Sequence, residues 1–184
     1  MNCPPRAATD EAGAHVTHEA IPAAPRLEPE LVRLPEQPTI AVRYHLESQE
    51  GIEQRFDEGF QAIGAALSRA QLQPAGPAFA HYDRMPTEPF TVELGFPTDA
   101  EYAGLEFPGD TKVITSKLSG GHVATLSHLG GFDGLGTAWE RLLQWAAAHG
   151  HRPVGHFWEV YVTEPTPDMD PSTLRTDLFL PVSS

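Results

Sequence analysis

The chain repeats one order of predicted elements twice, and this repeat constrains the fold more than any other feature. Hydrophobic periodicity predicts a strand, a helix and two short strands at 39–46, 50–72, 79–83 and 90–96. After a linker at 98–112, the same order predicts a strand region broken at Gly120-Gly121, a helix and two strands at 113–129, 132–149, 154–162 and 176–182. Such a chain is expected to fold as an α+β domain with an antiparallel sheet and two helices.

Residue identities support the repeat. Segment 41–46 (AVRYHL) aligns with 124–129 (ATLSHL), Tyr82 aligns with Tyr161, and 92–97 aligns with 176–181, at offsets of 83, 79 and 84 residues. Three matches in order at nearly constant spacing indicate an internal duplication of a β-α-β-β unit, with repeats at about 31–98 and 113–183. A chance likeness between two ordinary α+β units is the alternative. Duplicated units usually pack about a pseudo-two-fold axis, so we expect a ligand pocket where they meet.

The first 30 residues differ in composition from the rest. Residues 1–30 are rich in Ala, Pro, Thr and Glu and contain few large apolar side chains, so they cannot bury enough surface to offset the entropy of ordering. We predict an extended, poorly structured arm at 1–30, docked on the domain or on a partner subunit, and a ligand-binding domain at 31–184. A homodimer is one possible assembly.

Charge and composition exclude several classes of partner. The net charge is −13, with 25 acidic residues against 12 Lys and Arg, so direct DNA binding is not expected. No apolar run approaches the roughly 20 residues that span a membrane, and the start lacks a secretory signal. With Cys3 as the single cysteine, we expect a cytoplasmic protein.

The sequence does not predict a metal or cofactor. His149, His151 and His156 lie near one another, but no Cys or carboxylate completes a recognisable zinc spacing with them. The chain also lacks the nucleophile elbow that is typical of many serine hydrolases. His128, which recurs as His45 in the alignment, is expected to have a structural role near a strand end.

The two predicted repeats differ at one informative position. Aligning Tyr82 with Tyr161 places Ala80 opposite Glu159, a methyl group against a carboxylate. Because side chains alternate along a strand, one face carries Glu159 with its neighbours Phe157 and Tyr161. The other face, expected to pack under the helices, carries Trp158, Val160 and Val162.

A mid-strand carboxylate among aromatic rings is costly to bury, so it needs a partner or a function. One alternative is a glutamate on an edge strand, in solvent. The other is a glutamate paired with a nearby arginine.

Several segments resemble the GyrI-like (gyrase-inhibitor-like) effector-binding domains. These are 118–124 (LSGGHVA), 128–135 (HLGGFDGL), 138–140 (AWE), 158–161 (WEVY) and 174–181 (LRTDLFLP), and the likeness extends over about 31–183. The resemblance implies a duplicated β-α-β-β fold whose pocket binds bulky, lipophilic, often cationic compounds, with the family's buried glutamate at Glu159. Some free-standing members resemble hydrolases that open cyclopropane-bearing toxins. Phe132 stands where relatives often have Tyr, which removes a hydroxyl group.

Three functions are therefore considered. The first is a free-standing binding protein for lipophilic, cationic small molecules, in which aromatic rings and one carboxylate form the site. Its expected ligand-binding residues are Glu159, Tyr161, Phe157, Tyr82, Trp139 and Tyr44, with Trp139 reaching the pocket rim. The second is a hydrolase of strained electrophiles with Glu159 as base and Tyr161 as its catalytic partner. The third is an interaction module that regulates a separate protein.

Overall fold

The computed structural model describes residues 20–84, 89–102, 111–164, 166 and 168–183. Within these ranges the chain forms two helices, α1 (Ile52–Ala70) and α2 (Leu135–Ala148). The strands are β1 (Glu30–Leu34), β2 (Gln37–Leu46), β3 (Phe79–Tyr82), β4 (Phe90–Pro97), β5 (Val113–Leu118), β6 (Gly121–Leu129), β7 (Arg152–Pro153), β8 (Phe157–Tyr161) and β9 (Arg175–Ser183). The predicted α+β class with an antiparallel sheet is confirmed.

The strands pair in the order β1-β6-β9-β8-β3-β4-β2-β5, with β7 added beside β9. All of these pairs are antiparallel. Strands β2, β3 and β4 lie in one half of the sheet and β6, β8 and β9 in the other, and the halves meet where β3 pairs with β8. The outermost strands β1 and β5 are exchanged between the halves. Internal duplication stays a prediction.

The sheet is strongly curled at one end. Strands β1 and β2 stand six places apart in the sheet order, as do β5 and β6. In a flat sheet that distance would be roughly 29 Å. Each pair is joined by only two residues, 35–36 or 119–120, which span at most about 11 Å. The two connections touch, because a Cβ on Gly120 would lie 2.6 Å from the backbone nitrogen of Glu36.

The two faces of the sheet carry separate cores. Both helices pack on the face that carries Glu159, over a large cluster that includes Ile40, Leu94, Leu126, Leu142 and Leu178. The opposite face carries a smaller cluster that includes Phe79, Trp158, Val160 and Phe179, with Ala20, Ile21 and Val162 packed against it. The prediction that Trp158, Val160 and Val162 lie under the helices is wrong. Alternation gives the residues that share a face, but it does not give the face that the helices cover.

The start of the domain contains a strand that was not predicted. β1 has only five residues, and its sequence ELVRL has mixed burial, so it carries no clear alternation. Just before it, the backbone of Arg26 bonds Ser127 of β6, and Arg175 donates to the carbonyl of Ala23. The described part of the predicted arm is thus docked on the sheet. Residues 1–19 of that arm lie outside the described residues, and the domain boundary stays a prediction.

The helices are slightly shorter than predicted. α1 ends where Gln71 adopts a left-handed conformation with φ of 57° and donates back to the last turn. A 3-10 turn at Phe132–Gly134 precedes α2, and no side chain caps the start of this helix. No helix in the described part of the chain is long and apolar enough to cross a bilayer.

Candidate functional site

Glu159 is buried near the centre of the sheet. It lies on β8, between β3 and β9, and its register partners are Ala80 and Leu178. Only 7% of its surface is exposed. The alternative of an edge-strand glutamate in solvent is therefore wrong.

Both carboxylate oxygens of Glu159 accept hydrogen bonds from neutral donors. The indole nitrogen of Trp139 donates to Oε1 at 2.7 Å, and the hydroxyl of Tyr161 donates to Oε2 at 3.1 Å. Among the residues that the structure describes, no Lys or Arg forms an ion pair with this carboxylate. The alternative of a structural Arg–Glu pair is also wrong, and the charge has no full counter-charge within the described fold.

Burial dominates the acidity of the site. It raises the pKa of Glu159, while the hydrogen bonds from Trp139 and Tyr161 and the electrostatic influence of His128 lower that pKa in part. Burial likewise raises the pKa of Tyr161 and of Tyr82, and the nearby carboxylate raises both further. Both tyrosines therefore stay protonated at neutral pH and act as neutral hydrogen-bonding groups.

Aromatic rings surround the carboxylate. Phe157 stacks on Tyr82 with ring centroids 4.9 Å apart, and Trp139 meets Phe157 edge-on at 4.6 Å. Phe132 lies edge-on to Tyr161 at 5.9 Å. The rings converge because β3 and β8 are neighbours and because α2 presents Trp139 to the sheet together with Ala138, Leu142 and Ala146. Face-on and edge-on packing of this kind holds the rings in defined positions.

Five of the six predicted ligand-binding residues come together, namely Glu159, Tyr161, Phe157, Tyr82 and Trp139. Trp139 lies deeper than the predicted rim position, because it is buried and bonded directly to the carboxylate. Binding of a ligand by these residues stays a prediction.

Tyr44 lies apart from the other five. It is on the same face of the sheet, but β4 separates it from β3, which places it roughly 10 Å from Tyr82 by strand spacing. Its ring packs beside Gly59 of α1, and its buried hydroxyl has no hydrogen-bond partner among the described residues. Its place in a ligand site stays a prediction.

Two further residues border the site. His128 of β6 bonds the carbonyl of Gly131 at 2.9 Å and acts electrostatically on Glu159. Phe132 is 48% exposed and forms the outer edge of the ring cluster. The sequence signal for His128 was its two-residue spacing from Leu126. Because side chains alternate along a strand, this spacing puts both side chains on the sheet face that the helices cover. The signal for Phe132 was its place in a segment that resembles the family.

No metal centre is evident in the described ranges, where no three His, Cys, Asp or Glu side chains are grouped closely enough to hold an ion. The arrangement can supply a buried negative charge, two phenols and several ring faces. These are features of a site that holds an organic molecule.

Comparison with known proteins decides the family. The model of the GyrI-like small molecule binding domain matches residues 27–183. The chain belongs to this family. A GyrI-like domain binds small molecules, so ligand binding is the role that its membership supports. No match was found among curated proteins.

Solved structures show the same fold at low sequence identity. The C-terminal domain of EcmrR has a TM-score of 0.65 at 18% identity, over 85% of this GyrI-like chain and 97% of that domain. A hydrolase from Listeria innocua has a TM-score of 0.58 at 17% identity, over 88% of this chain and 94% of the hydrolase. SAV2435 bound to tetraphenylphosphonium has a TM-score of 0.58 at 13% identity, over 85% of this chain and 94% of SAV2435.

Proposed function

We propose that this protein binds bulky lipophilic cations, with Glu159 as the counter-charge. One observation carries the proposal. Within the described residues, this buried carboxylate accepts hydrogen bonds from neutral donors and has no cationic partner. An ionised group in such surroundings is costly, and a bound cation would lower that cost. Charge-assisted contacts contribute roughly 1.5–3 kcal/mol.

The rings around Glu159 suit the same class of ligand. Faces and edges of Phe157, Tyr82 and Trp139 can contact an apolar cation at low cost in conformational entropy. Phe132 is the outermost ring, and we propose that it moves aside when a ligand enters. The net charge of −13 favours the approach of cations. SAV2435, which shares the fold, binds tetraphenylphosphonium, and that cation is a suitable probe.

The test compares one cation with one neutral compound of similar shape. Glu159→Gln keeps the size of the side chain and removes its charge. We expect tetraphenylphosphonium to bind this variant about ten- to hundredfold more weakly, while triphenylphosphine oxide changes little. Isothermal titration calorimetry measures both affinities.

A matched control comes from another buried glutamate, Glu93, which is 6% exposed on the opposite face and contacts Arg43 and Ser116. Glu93→Gln should leave both affinities unchanged. Equal weakening of the cation and the neutral compound by Glu159→Gln would exclude the counter-charge role.

A second candidate function is hydrolysis of strained electrophiles such as cyclopropane-bearing compounds. Two features favour it: the raised pKa of Glu159, which suits a general base, and the Tyr161 hydroxyl 3.1 Å away. In this reaction Glu159 takes a proton from water and the water oxygen attacks a ring carbon. The strained bond breaks, and the carbon atom that it releases takes the proton back from Glu159. A relative of this fold from Listeria innocua is a hydrolase.

Product mass after incubation with such an electrophile separates the two functions. If the protein is a hydrolase, Glu159→Gln abolishes turnover, and binding of the intact substrate persists. Turnover that survives Glu159→Gln would exclude Glu159 as the base.

Three further expectations stay predictions. They are that the chain does not bind DNA directly, that it forms a homodimer, and that it regulates a partner protein.

A further inference from the structure

A pocket lies on the opposite face of the sheet, away from the helices and from Glu159. It sits where the curled sheet brings the connections 35–36 and 119–120 together. Its walls are mostly apolar and include Leu34, Phe79, Leu118, Trp158, Val160 and Phe179. Ser119 is one of the residues in this wall, so an apolar molecule in the pocket would lie beside it.

Ser119 belongs to a chain of three polar side chains from separate parts of the sequence. Its Oγ lies 3.4 Å from Nε2 of His156, and Nδ1 of His156 lies 3.2 Å from Nε2 of His81. The imidazole therefore contacts the hydroxyl with one nitrogen and an orienting group with the other. This is the arrangement by which a histidine activates a serine.

The His156 ring is held in place by aromatic packing. It stacks on Trp158 with centroids 6.3 Å apart and planes at 17°, and Trp158 stacks on Phe179 at 5.5 Å and 7°. His81 lies beside Trp158 in the strand register and contacts the edge of the His156 ring. The imidazole orientation is thus set by the sheet, independently of its bond to Ser119.

The protonation states agree with this geometry. Burial lowers the pKa of His81 and of His156, so both rings are neutral at neutral pH. If the Ser119 hydroxyl donates to Nε2 of His156, the neutral ring carries its proton on Nδ1. That proton then points at Nε2 of His81, so one choice of tautomers satisfies the whole chain.

We propose that Ser119 is an acyl-accepting nucleophile for esters with small apolar groups, with His156 as its general base and His81 as a positioning residue. The Ser119 oxygen bonds to the ester carbonyl carbon as its proton passes to Nε2 of His156. The carbon–oxygen bond of the ester then breaks, and the alcohol leaves with that proton. Water, deprotonated by His156, releases the acid and restores Ser119.

The experiment uses the full chain and p-nitrophenyl butyrate. Mass spectrometry of peptides should find one butyryl group on the peptide that contains Ser119, together with a burst of nitrophenolate. Ser119→Ala should lose both signals. Ser68→Ala, which changes an exposed serine on α1, should keep both, and thermal unfolding checks that each variant is folded.

The base and the positioning residue need separate variants. His156→Gln should slow acylation about a hundredfold or more. His81→Leu should slow acylation too. His81→Gln should restore much of the rate, because its amide oxygen can still accept a hydrogen bond from Nδ1 of His156. A purely structural role for His81 would not give that rescue.

The outcomes that overturn the proposal are equally specific. They are a butyryl group on other residues instead of Ser119, or acylation of Ser119 at an unchanged rate in His156→Gln. Neither result bears on Glu159, because the two sites lie on opposite faces of the sheet. Conversely, loss of cation binding in Glu159→Gln would leave the Ser119 site untouched.

Discussion

Two buried carboxylates on neighbouring strands have opposite surroundings. Asp177 of β9 is 0% exposed and accepts two hydrogen bonds from the guanidinium of Arg175, at 2.8 and 2.7 Å. Glu159 of β8 is 7% exposed and accepts its bonds from an indole and a phenol. The fold thus neutralises one charge completely and leaves the other with neutral partners.

The difference separates a structural ion pair from the binding group that we propose. Arg175 also donates to the carbonyl of Ala23, so the Asp177 pair fixes the segment that precedes β1 to the sheet. The donors to Glu159, Trp139 and Tyr161, are instead neutral members of the ring cluster. A buried charge that the fold does not neutralise is the feature expected of a site for a charged ligand.

The largest effect is expected from breaking the structural pair. Arg175→Met removes the guanidinium and leaves Asp177 buried without a counter-charge, which should lower the free energy of unfolding by about 3–5 kcal/mol. Urea denaturation measures the change. The double variant Arg175→Met with Asp177→Leu should recover most of the loss, because no charge then remains. A loss under about 1 kcal/mol in the single variant would contradict the comparison.

Much of this fold could be predicted because periodicity is a local signal. Both helices and the strands other than β1 and β7 follow from hydrophobic spacing, such as Ile52, Phe56 and Phe60 on α1. The strand β1 could not be predicted, since its five residues have mixed burial and carry no hydrophobic pattern. Its pairing with β6 depends on residues about 90 positions away, as in Val32 opposite Val123.

The site was predictable to a similar extent. In the structure Ala80 pairs with Glu159 and Tyr82 pairs with Phe157, because β3 and β8 run antiparallel. Alternation placed Phe157 and Tyr161 correctly beside the carboxylate. It could not predict that Trp139 bonds Glu159, because this contact depends on how α2 sits on the sheet. The Ser119–His156–His81 chain has no sequence signature at all, since the curl of the sheet creates it.

A smaller effect is expected on stability as pH changes. Burial raises the pKa of Glu159 in the folded state above its unfolded value, so the carboxyl group favours folding when protonated. That contribution is complete below the unfolded pKa and is lost as pH rises through the folded pKa. Wild-type protein should therefore lose stability relative to Glu159→Gln as pH rises from about 4 toward neutrality.

Thermal unfolding of both proteins in a series of buffers measures this difference. All other titrating groups are common to the two proteins, so the difference isolates Glu159. A constant difference in unfolding free energy across this range would show that the carboxyl group has the same pKa in both states, contrary to our account.

The most direct test of the central claim is the affinity for tetraphenylphosphonium as a function of pH. This cation does not titrate. The groups that face Glu159 are Trp139 from α2, Tyr161 on its own strand, Tyr82 from β3 and His128 from β6. Since His128 is present in wild type and in Glu159→Gln, comparing the two proteins separates its effect from that of the carboxylate.

We expect the affinity of the wild-type protein for this cation to rise as pH rises through the raised pKa of Glu159. The difference in affinity between wild type and Glu159→Gln should then widen to about tenfold or more. Parallel affinity profiles for the two proteins, at any spacing, would contradict the claim that Glu159 is the ligand's counter-charge.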